Sequence, residues 1–275
     1  MKFTKMHGNG NDFIVIEDFE RRYLKNQENI AMELCHRNFG IGADGVLFVR
    51  NTDEADIEMV IINSDGSYAA MCGNGLRCFV KYVYEKDIVK ADLINIKTGD
   101  GIKSVEIKGE NGITQHIKVN MGNPSFDYKD IPLSENKTLI DYPIIIKNRN
   151  YNITTLRMGV PHTVIFGELK DFNIEDGKDI ETNEIFKEGT NVNFCEIVNR
   201  NHIKVMTWER GAGPTLACGT GNCASAFAAK TLNLVDNKIL VEVQGGKLNI
   251  LIENNHVFMI GNAEFICEGN ILMDL

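Results

Sequence analysis

The sequence predicts an α+β protein built from two similar halves, and two observations carry that prediction. First, a short motif followed by a helix-like stretch occurs twice, as Met-Cys-Gly-Asn-Gly at 71–75 and Ala-Cys-Gly-Thr-Gly at 217–221. Second, the elements after each motif recur in the same order at similar intervals, 49 residues from Cys72 to Met121 and 42 from Cys218 to Ile260. Chance gives one pair of short motifs far more readily than an ordered series, so the chain reads as an internal duplication.

The elements follow in order. Phe13-Ile-Val-Ile and Val164-Ile-Phe are strand-like apolar runs, and each follows a histidine, His7 and His162. After the motifs, LRCFVKYVYEK (76–86) and NCASAFAAKTLNL (222–234) read as helices. Gly-rich turns come next, TGDG at 98–101 and QGG at 244–246. Alternating patterns then predict hairpins over 104–120 and 248–259, turning near Glu110-Asn111-Gly112 and Asn254-Asn255. Met-Gly-Asn-Pro-Ser-Phe (121–126) matches Ile-Gly-Asn-Ala-Glu-Phe (260–265). Each half is thus mostly strand with one principal helix. Two such lobes related by a pseudo-two-fold axis would set the two Cys-Gly-x-Gly turns face to face across a cleft. The expected lobes are 1–120 with 263–275, carrying Cys72, and 121–262, carrying Cys218, with the active site in the cleft.

Length and composition bound the function. A chain of 275 residues is one large domain or two modest ones. Hydrophobic residues at 43% supply a core, which excludes a disordered chain. The formal charge of −9 argues against a nucleic-acid partner. No apolar run reaches the ~18 residues of a membrane helix. The N-terminus turns polar at once, with no signal-peptide core, so a cytoplasmic protein is expected. Seven cysteines, an odd count with no C-x-x-C and no zinc-finger spacing, argue against both a disulfide framework and a structural metal. Cys78 and Cys223 fall within the predicted helices and read as packing residues. Cys35, Cys195 and Cys267 sit in apolar contexts and read as structural.

Cys72 and Cys218 are different. Their flanking glycines let the backbone approach a ligand closely. The helix that follows leaves unpaired N–H groups and a partial positive charge at its N-terminus. Such a site binds a carboxylate and depresses the pKa of a cysteine. Two thiols across a cleft suit inversion at an amino-acid α-carbon. One thiolate removes the α-proton from one face, the other thiol protonates the opposite face, and N–H donors at the carboxylate stabilise the carbanion.

This pattern resembles the diaminopimelate epimerases and their pyridoxal-phosphate-independent racemase relatives over nearly the whole chain. The matching segments are KMHGNGNDFIVI (5–16), GIGADGVLF (40–48), NSDGSYAAMCGNGLRC (63–78), MGVPHTVIF (158–166), NVNF (191–194) and WERGAGPTLACGTGNCAS (208–225). The resemblance implies strongly curved, mostly antiparallel sheets, each around a central helix. It implies Cys72 and Cys218 as the catalytic acid/bases, with His162 and Glu209 assisting them. Gly73, Asn74, Gly219 and Thr220 match the backbone N–H set at the reacting carboxylate. Asn11 and Glu209 match positions near the reacting amine. Asn63, Asn191 and Arg210 match the clamp on the far amino-acid end. It further implies no cofactor and no metal, a small amino-acid substrate, and an assembly that allows a homodimer.

Three positions depart from the family pattern: Val160, where Asn is usual, Gly45, where Gln occurs, and Tyr68, where Glu is common. The favoured reading is interconversion of LL- and meso-diaminopimelate in lysine and cell-wall synthesis. The alternatives are the same chemistry on another amino acid, such as histidine, and a non-catalytic amino-acid-binding protein. A phenazine-type isomerase on the same fold fits less well, because both cysteines are present.

Overall fold

A computed structural model describes residues 1–110 and 113–273. The chain divides into two compact units, Met1–Val119 with Gly261–Leu275, and Asn120–Ile260. No helix among the described residues is long and apolar enough to cross a membrane.

The first unit runs β1 (Lys2–Gly8), β2 (Asn11–Glu17), α1 (Gln27–Cys35), β3 (Gly45–Arg50), β4 (Ile57–Asn63), β5 (Tyr68–Ala69), α2 (Gly73–Glu85), β6 (Leu93–Thr98), β7 (Gly101–Glu110) and β8 (Ile113–Gly122), which crosses the unit boundary. Asn9 and Gly10, both at positive φ, make the two-residue turn between β1 and β2. Most pairings are antiparallel. Two are parallel, β2 with β3 and β4 with β6. Parallel neighbours need a crossover, and here α1 and α2 supply them. The expected turn at Asn111-Gly112 lies outside the described residues, but β7 and β8 pair as the predicted hairpin.

The second unit repeats this plan. It runs β9 (Tyr142–Ile146), β10 (Arg149–Met158), β11 (Val160–Phe166), α3 (Asp176–Glu181), β12 (Asn191–Asn199), β13 (His202–Glu209), β14 (Gly213–Thr215), α4 (Gly219–Thr231), β15 (Lys238–Val243), β16 (Gly246–Glu253) and β17 (His256–Gly261), which reaches the boundary. Its parallel pairs are β11 with β12 and β13 with β15, each across a helix as in the first unit. The predicted Asn254-Asn255 turn forms, both residues at positive φ. A second turn of this kind, Lys147-Asn148, joins β9 to β10.

The edge position that β9 takes beside β10 is filled in the first unit by the strand Glu264–Asn270, which pairs with β1. A bulge there, between Lys5 and Met6, breaks the alternation of that strand. The structural reading of Cys267 is therefore corrected. The cysteine is exposed, because its strand is paired along β1 and its residues beyond Phe265 and Gly269 face outward. Cys35, Cys78, Cys195 and Cys223 are buried as expected.

The pairing registers also correct one sequence match. In the parallel pairs, Phe13 lies opposite Gly45 and His162 opposite Asn191. The topological counterpart of His162 is thus Phe13. His7 instead sits on β1, opposite Asp12 in the β1–β2 hairpin.

Both principal helices are buried along most of their length. In α2 every residue from Gly73 to Val83 is buried, including Arg77 and Lys81. In α4 the buried positions are mostly Gly, Ala, Ser and Cys, small residues that let strands come close.

Arg50 and Asp18 form a buried ion pair. Arg50 donates to Asp18 at 2.9 Å, with side chains 2% and 0% exposed, and to Gln27 at 2.8 Å. Its guanidinium also lies 5.2 Å from the centre of the Phe48 ring. Removing one partner of a buried pair leaves an uncompensated charge. Asp18→Ala is expected to lower unfolding free energy by about 3–5 kcal/mol in urea titrations. A loss under ~1 kcal/mol would show that the pair does not hold Arg50 in place.

Candidate active site

Each principal helix begins at a motif cysteine. Cys72 is the N-cap of α2, and its sulfur accepts the Gly75 N–H at 3.4 Å. Cys218 is the N-cap of α4, with its sulfur 3.5 Å from the Thr220 hydroxyl. Gly73, Asn74, Gly219 and Thr220 form the first turns of these helices, where N–H groups lack partners within the helix.

The counterpart positions around the two cysteines carry different chemistry. Asn11 and Val160 each open a strand, two residues before Phe13 and His162. Gly45 and Asn191 lie on the parallel neighbours. Asn63 and Glu209 each end the strand that follows. The predicted residues therefore occupy equivalent places in the two units rather than scattered ones.

In the first unit, the Asn11 carboxamide oxygen lies 3.5 Å from the Cys72 sulfur and accepts from Asn74 Nδ2 at 3.3 Å. Arg77, buried in α2, donates to Asn74 at 3.0 Å and to Asn9 at 2.6 Å. Asp12 sits in a charged cluster with Lys5 at 3.0 Å and Arg37 at 3.0 Å. Burial raises the Asp12 carboxyl, but the bonds from Arg37 and Lys5 outweigh it and hold the group below the ordinary aspartate range. Asn63 donates to Ser67 at 3.0 Å within the turn before β5.

In the second unit, His162 is fully buried on β11. Asn193 Nδ2 lies 3.2 Å from His162 Nδ1 and 3.5 Å from the Thr163 carbonyl, while Asn193 Oδ1 accepts from the Thr207 hydroxyl at 3.1 Å. The carbonyl can only accept, so Nδ2 is the donor and His162 Nδ1 accepts. The ring proton of neutral His162 then sits on Nε2, which has no hydrogen-bond partner among the described residues. Burial, followed by the nearby Arg210 charge, lowers its pKa to about 3, so the ring is neutral.

Asn191 is engaged at both ends, donating to the Pro161 carbonyl at 3.0 Å and accepting the Arg210 N–H at 2.9 Å. The Arg210 side chain donates to the Glu188 carbonyl at 2.7 Å. Gly211 donates to Glu181 at 3.1 Å, which also accepts from Trp208 at 2.6 Å. Asn191 and Glu181 thus fix the loop that carries Arg210. Val160 is 39% exposed and Tyr68 54% exposed.

One expectation is reversed. A thiol at a helix N-terminus is expected to ionise easily. Instead, burial pushes the Cys218 thiol up, and the Glu209 charge adds to the rise. The bonds from Thr220 and Gly221 oppose these effects without overcoming them. Cys218 therefore rests protonated. Burial likewise pushes Cys78 up to about 12, which fits its packing role.

Sequence reasoning assigned no role to Asn193 and Thr207 around His162, or to Asp44, which binds Asn11. The signal for Asn193 was the NVNF alternation, which puts Asn191 and Asn193 on one face of β12.

The duplicated α+β plan is shared by solved structures described as racemases, epimerases and phenazine biosynthesis proteins. One solved structure of this kind is a Bacillus anthracis phenazine biosynthesis protein of the PhzF family. It is 16% identical with a TM-score of 0.71, covers 99% of each chain, and shows the shared fold. The chain belongs to the diaminopimelate epimerase family, whose model matches residues 3–126 and 154–266. It is 59% identical to the diaminopimelate epimerase of Clostridium perfringens (strain 13 / Type A), over 99% of this chain and 100% of that protein. It is 44% identical to that of Alkaliphilus metalliredigens (strain QYMF), over 100% of this chain and 99% of that protein.

The neutral His162 gives a pH signature. Its folded pKa lies below the unfolded value of ~6.5, so the unfolded state binds more protons in between. The stability it contributes is fully present above about pH 6.5. It is lost as pH falls toward 3, at up to ~1.4 kcal/mol per pH unit. Urea unfolding of the protein is expected to weaken more steeply between pH 6 and 4 than that of His162→Gln. Parallel curves would show that His162 gains its proton in the folded state.

Proposed function

We propose that this protein interconverts LL- and meso-diaminopimelate, with Cys72 and Cys218 as the two acid/base groups and no cofactor. The observation that carries the reading is the pair of cysteines, each at the N-cap position of a principal helix at the same place in a duplicated plan. The substrate follows from relatives named for it at up to 59% identity over nearly the whole chain. Lysine and cell-wall synthesis in the cytoplasm is the setting this reaction implies.

One thiolate takes the α-proton and becomes a thiol. The other thiol gives its proton to the opposite face and becomes a thiolate. The α-carbon is inverted with no net change in protonation. Burial keeps Cys218 protonated, which suits the donor role in the direction where Cys72 is the base. The N–H groups of Gly73, Asn74, Gly219 and Thr220 hold the reacting carboxylate and stabilise the carbanion. Asn11 and Glu209 serve the reacting amine, and His162 and Glu209 support the thiols. Asn63, Asn191 and Arg210 hold the distal end, Asn191 through its grip on the Arg210 backbone.

The test is α-deuterium uptake in D2O with diaminopimelate, lanthionine and histidine offered separately. Uptake into diaminopimelate is expected. Uptake into histidine alone would replace the substrate, and uptake into none would leave an amino-acid-binding protein. Cys72→Ala and Cys218→Ala are each expected to lose ~10²–10⁴-fold in turnover. The double variant should lose far less than the product of the two, because the thiols act as one unit. Near-normal turnover in either single variant would refute the two-thiol mechanism.

Val160 places an apolar side chain at the counterpart of Asn11. Val160→Asn is expected to raise kcat/KM for diaminopimelate roughly tenfold by adding one hydrogen bond to a charged group. An unchanged value would remove position 160 from substrate selection.

A further inference from the structure

The carboxamide of Asn11 has a determined orientation. Asn11 Nδ2 donates to Asp44 Oδ2 at 2.7 Å, and an ionised carboxylate can only accept. The oxygen of the same carboxamide therefore points the other way, to the Cys72 sulfur at 3.5 Å and Asn74 Nδ2 at 3.3 Å. Asn74 confirms this orientation from the far side. Its own oxygen accepts from Arg77 at 3.0 Å, which leaves Nδ2 to face Asn11. Asp44 is itself held. Its Oδ2 accepts the Asp12 N–H at 3.1 Å, and its Oδ1 accepts from Arg37 at 2.8 Å. Its backbone N–H donates to the Asp12 carbonyl at 2.9 Å, and its carbonyl accepts the Ser64 N–H at 3.0 Å.

We propose that Asp44 is a positioning residue that fixes the Asn11 carboxamide with its oxygen toward Cys72. It thereby sets the proton affinity of that thiol. An amide oxygen beside sulfur favours the S–H form, because it accepts from the thiol and gives nothing to the thiolate. With the carboxylate gone, the short bond is lost and the longer contacts with Asn74 and the Cys72 sulfur hold the carboxamide less firmly, so that it swings away from the sulfur. The thiol then loses that acceptor and ionises at lower pH. The charged and titratable groups on the packed elements include Lys5 and His7 on β1, Asp12 on β2, Arg37 and Asp44 before β3, and Arg77 and Cys78 on α2. Asp44 carries a charge, so its removal also acts through Coulomb's law, and the test must separate the two effects.

Asp44→Asn does this. It removes the charge but keeps an oxygen for Asn11 Nδ2 and the Asp12 N–H, both of which are donors. Asp44→Ala removes both charge and oxygen. The measurement is the pH dependence of iodoacetamide alkylation at Cys72, read by mass spectrometry of the Cys72 peptide in protein without substrate. The midpoint of Asp44→Ala is expected about half to one pH unit below that of Asp44→Asn. That difference should vanish in an Asn11→Ala background, because the coupling runs through Asn11. Equal midpoints in the two variants, or a difference that survives in Asn11→Ala, would overturn the proposal. Circular dichroism checks the fold, and Asp44→Val, which also removes both charge and oxygen, provides the same reading should the alanine variant not fold. The proposal rests on the epimerase reading for the role of Cys72. The alkylation needs no turnover, so its failure and the failure of that reading are separately visible.

Discussion

The candidate site depends on how closely two glycines approach the strands beneath them. Gly75 and Gly221 each stand three residues after a motif cysteine, in the first turn of a buried helix. A Cβ on Gly75 would lie 3.3 Å from the Phe13 ring and 3.4 Å from Leu47. On Gly221 it would lie 2.3 Å from the Asn193 amide oxygen, so that side chain would have to shift from its bond with Thr207. The missing side chain lets each helix start pressed onto its sheet, with its N–H groups and its N-cap cysteine held at a fixed height. The Cys-Gly-x-Gly spacing is thus a packing requirement as well as a chemical one.

Duplication supplied two equal frames, and side-chain chemistry then made them unequal. Phe13, Leu47 and Ile61 lie under α2, where His162, Asn193 and Thr207 lie under α4, by the registers of the paired strands. One floor is apolar. The other is a buried hydrogen-bonded chain that fixes a histidine tautomer. Asn11 faces one thiol through its oxygen, while its counterpart Val160 has no polar group to offer. Burial pushes the Cys218 thiol toward its protonated form, the state that the proposed donor role needs. A catalyst that inverts a carbon needs one base and one acid at any moment, and unequal surroundings serve that need better than strict symmetry would.

Much of this was legible in the sequence, for identifiable reasons. The repeat showed because both copies need the same glycines and a small capping residue, and these tolerate little change. The Asn254-Asn255 turn showed because Asn enters the left-handed region readily. Lys147-Asn148 makes the same kind of turn but carries a lysine, and it passed unmarked. Cys267 was misjudged because its neighbours Phe265 and Ile266 are apolar, while a bulge and a single paired edge decide where it points. The ease of ionising Cys218 was misjudged because helix position is visible in sequence and burial is not. Asp44 lay within a segment already matched to the family. What hid its role was direction, since only coordinates show which end of the Asn11 carboxamide it holds.

The strand Glu264–Asn270 takes the outer place beside β1, at the opposite end of the chain from its partner. The second unit has no such debt, because β9 through β17 follow one another along the chain and its edge strand comes first. During synthesis, which adds residues in order at ~5–20 per second, the second unit has all its strands in hand before the first unit receives its last one. The half that emerges earlier is therefore the half completed later. Until that final strand arrives, the outer backbone groups of β1 stand unpaired, an open edge that another extended segment could occupy. The order of translation thus leaves the Cys72 half exposed to mispairing for longer than the Cys218 half.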